Sequence, residues 1–163
     1  MVGEAMEFSD YLQIQNLLHR YAYLMDHADF DAVGQLFAHA DVYMPGDAGT
    51  FYKDPAGVAN LFRRWNRVYE DTGTLRTRHI TTNLILEQDG HNSAKARCYV
   101  LVVQATPTFR LQPVIAGTYE DRFEKVDGTW RFAERREDFK NFELVGDLSA
   151  HLALEFTPQL SAT

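Results

Sequence analysis

The sequence predicts an α+β fold: three N-terminal helices packed on one face of a curved antiparallel sheet. Two observations predict it. Apolar residues recur at helical spacing through three segments up to Gly73. After Gly73 the period changes to two and holds through four long segments joined by short turns. Hairpin-linked strands make an antiparallel sheet, and each helix has one apolar face that the sheet can bury.

The elements follow in order. Ser9 and Asp10 can cap a first helix in which Ile14, Leu17, Leu18, Tyr21, Leu24, Met25 and Ala28 share a side. Asp29 can cap a short second helix with Val33, Leu36 and Phe37 inward. Residues 41–44 read as a short strand, 45–49 as a loop by composition, and 50–52 as the returning strand. Asp54-Pro55 places a cap and an N1 proline before a third helix, whose apolar positions run from Val58 through Trp65 to Tyr69, with Gly73 as its end. Strands then cover residues 76–87, 92–106, 114–125 and 129–139, with turns at Gln88-Asp89-Gly90 and Val126-Asp127-Gly128. In the tail, Leu148, Leu152, Leu154 and Phe156 are placed to close the sheet's open end or to meet a second subunit. No repeat or linker interrupts the chain, so residues 1–163 are expected to form a single domain.

Composition narrows the function. A net charge of −7 argues against binding phosphate backbones or anionic membranes, so neither a nucleic acid nor a membrane is an expected partner. The lone cysteine, Cys98, excludes an internal disulfide. The start, MVGEAMEFSD, has no basic region followed by an apolar run, and apolar runs such as 99–103 are too short to span a bilayer. A soluble cytoplasmic protein is the expectation. There is no phosphate-cradling glycine loop and no Gly-x-Ser-x-Gly, so no cofactor is expected. The acidic stretch 26–31 lacks the spacing and glycine of a calcium loop, and His151 with Glu155 lacks a third ligand, so no metal is expected.

The chemistry centres on two residues. Asp26 breaks the apolar stripe of the first helix, and His79 sits on the first long strand. Histidine is the usual proton carrier near neutrality. A carboxylate bonded to one ring nitrogen fixes the tautomer and steadies the protonated ring. Such a pair can remove a proton next to a carbonyl and return it to a departing hydroxyl. Tyr21, Tyr23 or Tyr43 can then polarise the carbonyl oxygen. On the residues alone a plainer reading stands beside this one: Asp26 caps a turn and His79 fills the core. Alternation puts His79, Thr81 and Asn83 on one face, so Asn83 is a candidate substrate contact or a sheet residue bonded to backbone. Met25, Cys98, Tyr119 and Trp65 are candidate pocket walls; Cys98 equally suits a small buried apolar site, and Tyr119 a face toward a partner subunit.

The element order resembles the nuclear-transport-factor-2-like superfamily, and within it the SnoaL-like group of polyketide cyclases, scytalone dehydratase, bile-acid dehydratases and ring-hydroxylating dioxygenase β subunits. Four local matches carry the resemblance: Tyr21-x4-Asp26-x2-Asp29-x-Asp31-x4-Leu36-Phe37; Asp41-Val42-Tyr43; Arg78-His79-x3-Asn83; and Gly117-x-Tyr119-x-Asp121-x-Phe123 with Gly128-x-Trp130-Arg131-Phe132-Ala133-x-Arg135. The resemblance implies a cone-shaped sheet and places Asp26 and His79 as the dehydratases' Asp-His pair, with Tyr43 and Tyr21 at tyrosine positions of scytalone and bile-acid dehydratases. Two departures stand out. Met25 replaces scytalone dehydratase's tyrosine, and the strand holding its second histidine here reads Ala96-Arg97-Cys98-Tyr99.

Taken together, the expected function is a cofactor-independent lyase or isomerase acting on a small hydrophobic cyclic carbonyl or hydroxy compound. The alternative is a non-catalytic ligand-binding or assembly subunit resembling a dioxygenase β subunit. A third reading, an epoxide hydrolase, would use Asp121 or Asp138 with Arg97 or Arg135. A homo-oligomer, a dimer or a trimer, is expected because helices cannot cover both faces of an open sheet.

Overall fold

Helix α1 (Phe8–Asp26) buries Ile14, Leu18, Tyr21, Ala22 and Met25, residues three or four apart that form one stripe. In this computed structural model, which describes residues 6–44, 48–138 and 145–153, the helix begins ahead of the expected cap. Glu7 is its N-cap and makes no side-chain capping bond. Asp10 instead accepts from Lys125 Nζ at 2.8 Å, which fastens the helix start to the sheet. The two other expected caps form. Asp29 accepts from the Ala32 N–H at 3.1 Å to start α2 (Phe30–Leu36), and Asp54 accepts from the Gly57 N–H at 2.8 Å to start α3 (Pro55–Trp65).

Helix α3 stops at Trp65, well short of Gly73. Asn66 turns extended, and its side chain donates to the Phe62 carbonyl at 2.9 Å. From there the backbone finds partners outside the helix. Asn66 bridges Leu152, the Arg67 N–H donates to the His151 carbonyl at 3.0 Å, and the Ala153 N–H donates to the Trp65 carbonyl at 2.9 Å. Apolar spacing alone carried no sign of this competitor from the far end of the chain. Leu148 packs against the core; Leu154, Phe156 and Glu155 lie outside the described residues.

The strands are β1 (Asp41–Tyr43), β2 (Thr50–Tyr52), β3 (Thr77–Gln88), β4 (Ser93–Thr106), β5 (Phe109–Val126) and β6 (Thr129–Asp138). They form one curved, unclosed sheet in the order β2-β1-β6-β5-β4-β3. All neighbouring pairs are antiparallel except β1 with β6, which is parallel. Strand β5 starts five residues earlier than the expected 114. The β5–β6 turn has Asp127 and Gly128 both at positive φ, 49° and 79°, as a two-residue hairpin turn requires.

Alternation sorts the inner face well. Ala94, Ala96, Cys98, Val100, Val102 and Gln104 of β4 are all buried. On β3 it fails at one place. The register shifts between Thr82 and Ile85, with Asn83 at φ 55°. This bulge turns Asn83 outward to an exposed position, while Leu84 and Leu86 pack on the core. No helix among the described residues is long and apolar enough to cross a membrane.

Helices α2 and α3 meet through Gly34. A Cβ there would lie 2.2 Å from the Pro55 carbonyl oxygen, a backbone atom that cannot swing away. Gly34→Ala should therefore lower unfolding stability by about 2 kcal/mol, as overpacked contacts do. A urea denaturation midpoint equal to wild type would show that the helices can separate freely.

Candidate functional site

Asp26 is the last residue of α1 and is 5 % exposed. A buried carboxylate needs donors, and β3 supplies them. Thr77 Oγ1 donates at 2.7 Å, the His79 backbone N–H donates at 3.1 and 3.2 Å, and His79 Nδ1 lies 2.7 Å from Asp26 Oδ1. Thr77 and His79 sit two apart on β3, so both side chains face the helix end. An acceptor on Nδ1 assigns the ring proton to Nδ1 and leaves Nε2 with the lone pair. Burial pushes the Asp26 carboxyl up. The bonds from His79, then Thr77, outweigh it and hold the group below the usual carboxylate range. The His79 side chain is itself only 6 % exposed.

A second buried polar cluster lies deeper in the cone. Arg135 of β6 forms a bidentate pair with Asp121 of β5, Nε to Oδ1 at 2.7 Å and Nη2 to Oδ2 at 2.8 Å. Its guanidinium lies 4.2 Å from the ring centroids of both Tyr21 and Tyr119, with Phe37 and Phe132 at 5.2 and 5.1 Å. Burial opposes the Arg135 charge, and Asp121 more than restores it. The Tyr21 hydroxyl donates to Glu137 Oε1 at 3.2 Å. Burial lifts Glu137 to about 7 against the pull of Arg135 and Tyr21.

The candidate residues thus divide into groups. Asp26 and His79 come together. Tyr21 and Tyr119 come together around Arg135, both fully buried. Met25 and Cys98 are core residues, and burial pushes the Cys98 thiol up to about 11, so it is a neutral packing group. Trp65 closes α3, half-buried against the core. Tyr43 packs its ring 3.8 Å beneath the Arg136 guanidinium and edge-on to Tyr52. Two positions depart from the expectation of a pocket wall. Tyr23 is 65 % exposed and stacks on His27 at 4.2 Å, because it lies on the wet side of α1. Asn83 is turned out by the bulge in β3. Of the arginine–carboxylate sets, Asp121 with Arg135 forms, and Arg97 is exposed.

Three further buried polar residues near these groups were not read from the sequence as site residues. Thr77 shares the His79 face, and continuing the alternation one step back would have found it. Glu137 shares a face with Arg135 two residues earlier. His151 arrives on the C-terminal segment, buried to 4 %, and no local pattern announced it. Beside that segment a groove of about 690 Å³ runs along Arg67, Tyr69, Arg76, Phe109 and Ala150.

Two stability predictions follow from these clusters. Asp26→Ala strips the acceptor from Thr77 and from the His79 backbone, and should cost about 3 kcal/mol of unfolding free energy; a urea titration checks it. Glu137 holds its proton up to about 7 in the folded state, while the unfolded chain releases it near 4.5. Its contribution is fully present below 4.5 and is lost as pH rises toward 7. Glu137→Gln should therefore gain about 2 kcal/mol on wild type between pH 5 and pH 8. Denaturation at both pH values, taken as the difference between the two proteins, isolates this residue from the others.

Comparison with known proteins agrees with this architecture. A structure of a protein of unknown function from Mycobacterium tuberculosis is 25% identical, covering 88% of this chain and 86% of that one, with a TM-score of 0.65. A candidate scytalone dehydratase from Novosphingobium aromaticivorans is 21% identical over 79% of this chain and 83% of its own, with a TM-score of 0.61. LinA is 23% identical over 79% and 84%, with a TM-score of 0.60. No curated protein matches the sequence. Residues 6–136 match the SnoaL-like domain, and the chain belongs to that family.

Proposed function

We propose that the protein is a cofactor-independent lyase or isomerase of small hydrophobic cyclic hydroxy-carbonyl compounds, with His79 as acid/base and Asp26 as its orienting partner. The observation that carries this reading is the 2.7 Å contact between His79 Nδ1 and Asp26 Oδ1. It leaves Nε2 as the free base. For a β-hydroxy ketone, Nε2 takes the proton from the α carbon. The electron pair moves onto the carbonyl oxygen as an enolate, then forms the carbon–carbon double bond as the C–O bond breaks. The proton on Nε2 leaves with the departing hydroxide as water, and the ring returns to its starting state. Asp26 stays ionised throughout and stabilises the imidazolium. Tyr43 or Tyr21 would polarise the carbonyl; Tyr21 does so only by giving up its bond to Glu137.

A second reading, a non-catalytic assembly subunit, is favoured by one observation: the Arg135 cluster fills the deep end of the cone with the protein's own side chains. Either way we propose a homo-oligomer, supported by Ile80 and Tyr99, which stand 44 % and 56 % exposed on the uncovered face of β3 and β4.

The test is 3-hydroxy-1-tetralone, which loses water to give 1-naphthol and can be followed by naphthol fluorescence above the uncatalysed rate. Wild type should accelerate it, and His79→Ala should lose about 100- to 1,000-fold of the rate, the range of a lost general base. A fully active His79→Ala protein would overturn the acid/base assignment.

A further inference from the structure

The C-terminal segment holds a histidine that the pair above does not account for. His151 is 4 % exposed, and its Nδ1 is buried without a hydrogen-bond partner. A ring nitrogen removed from water and left unpaired destabilises the fold unless something else bonds it. The segment that carries it is deliberately anchored. Gln104 Nε2 donates to the Ala150 carbonyl at 3.1 Å and to the Leu75 carbonyl at 3.0 Å, and the Tyr69 hydroxyl donates to the Ala150 carbonyl at 2.7 Å. The Arg67 N–H holds the His151 carbonyl at 3.0 Å.

These anchors lead to Asp26 by two routes. Gln104 pairs in register with Thr77, the residue that donates to Asp26 Oδ1. The Leu75 N–H donates to the Asp26 carbonyl at 3.3 Å. Electrostatics agree with the geometry. Burial, then the charge of His79, push His151 down to about 4, with Asp26 opposing.

We infer that His151 is a substrate-contacting member of the Asp26–His79 site, whose unpartnered Nδ1 bonds an oxygen of the bound molecule. The inference rests on the acid/base reading of that site. The ligand class is a small molecule with a hydroxyl or carbonyl oxygen held beside the carbon that His79 deprotonates. A neutral His151 suits the task. It bonds the oxygen without adding a second positive charge that would compete with a protonated His79.

The test reads the imidazole nitrogens of the ¹⁵N-histidine-labelled wild-type protein by NMR. The probe is 4-hydroxy-1-tetralone, whose hydroxyl is one carbon too far from the carbonyl for elimination, so binding is seen without turnover. The expected result is a shift of the His151 Nδ1 resonance on saturation together with the His79 resonances. His151→Phe should weaken the probe about tenfold, the value of one neutral hydrogen bond, while retaining the wild-type thermal midpoint or exceeding it. Movement of the His79 resonances alone overturns the inference and leaves the acid/base reading standing. If neither histidine responds to this probe or to 3-hydroxy-1-tetralone, both fall. If His151→Phe fails to fold, the wild-type resonances still decide.

Discussion

One buried carboxylate joins the two halves of this fold. Asp26 ends the first helix where the chain must leave it, and its oxygens are satisfied by Thr77 and His79 from the first long strand. Without those donors an ionised carboxylate this buried would be too costly to keep. With them, helix end and sheet edge are fixed in register. The same bonds set the imidazole's tautomer. The contact that lets α1 dock on β3 also leaves Nε2 of His79 with the ring's lone pair. This is why a capping role and a catalytic role for Asp26 were hard to separate as alternatives. The carboxylate bonds a backbone N–H and a ring nitrogen of the same residue.

The deep cone has a different logic. A guanidinium there is tolerated because Asp121 meets it on two nitrogens and aromatic rings cover its remaining surface. Breaking such a pair leaves an unpaired buried charge, a far larger penalty than the pair's own net contribution. The cluster therefore enforces one packing of β5 against β6 and α1. It also occupies volume.

Much of this was legible in the chain. Periodicity found three helices and four long strands because each has one buried side, and the period reports that side directly. Asp26 and His79 were legible as a pair through the resemblance to the dehydratases; on the residues alone a turn cap and a core histidine stood beside that reading. Some of the misses have determinants that are remote in sequence, and one has a local cause that leaves no apolar signature. The third helix ends at Trp65 because residues 151–153 compete for its backbone, and nothing near Trp65 encodes that. Asn83 left its expected face because a single inserted residue reverses alternation, and a bulge has no apolar signature of its own. His151 was read only as half of an incomplete metal pair with Glu155, because His79 and Asp26, whose charges it feels, lie more than seventy positions away.

The two carboxyl groups on either side of Tyr21 and α1 are driven in opposite directions. Asp26 is surrounded by donors and stays ionised; burial lifts Glu137 to about 7 against the pull of Arg135 and the Tyr21 phenol. Separating two acids this way keeps one as a fixed anion while the other still holds a proton near neutral pH. Tyr21 lies on the same helix as Asp26 and donates to Glu137, so a change of protonation at Glu137 alters the hydrogen bond that positions the phenol. Any reaction drawing on the Tyr21 hydroxyl would then depend on a group that does not touch the substrate. The pH response of this fold should consequently differ from that of an isolated Asp-His pair. With Glu137 coupled through Tyr21, ionisation near neutrality strengthens the phenol's bond to the carboxylate and draws it away from any other acceptor.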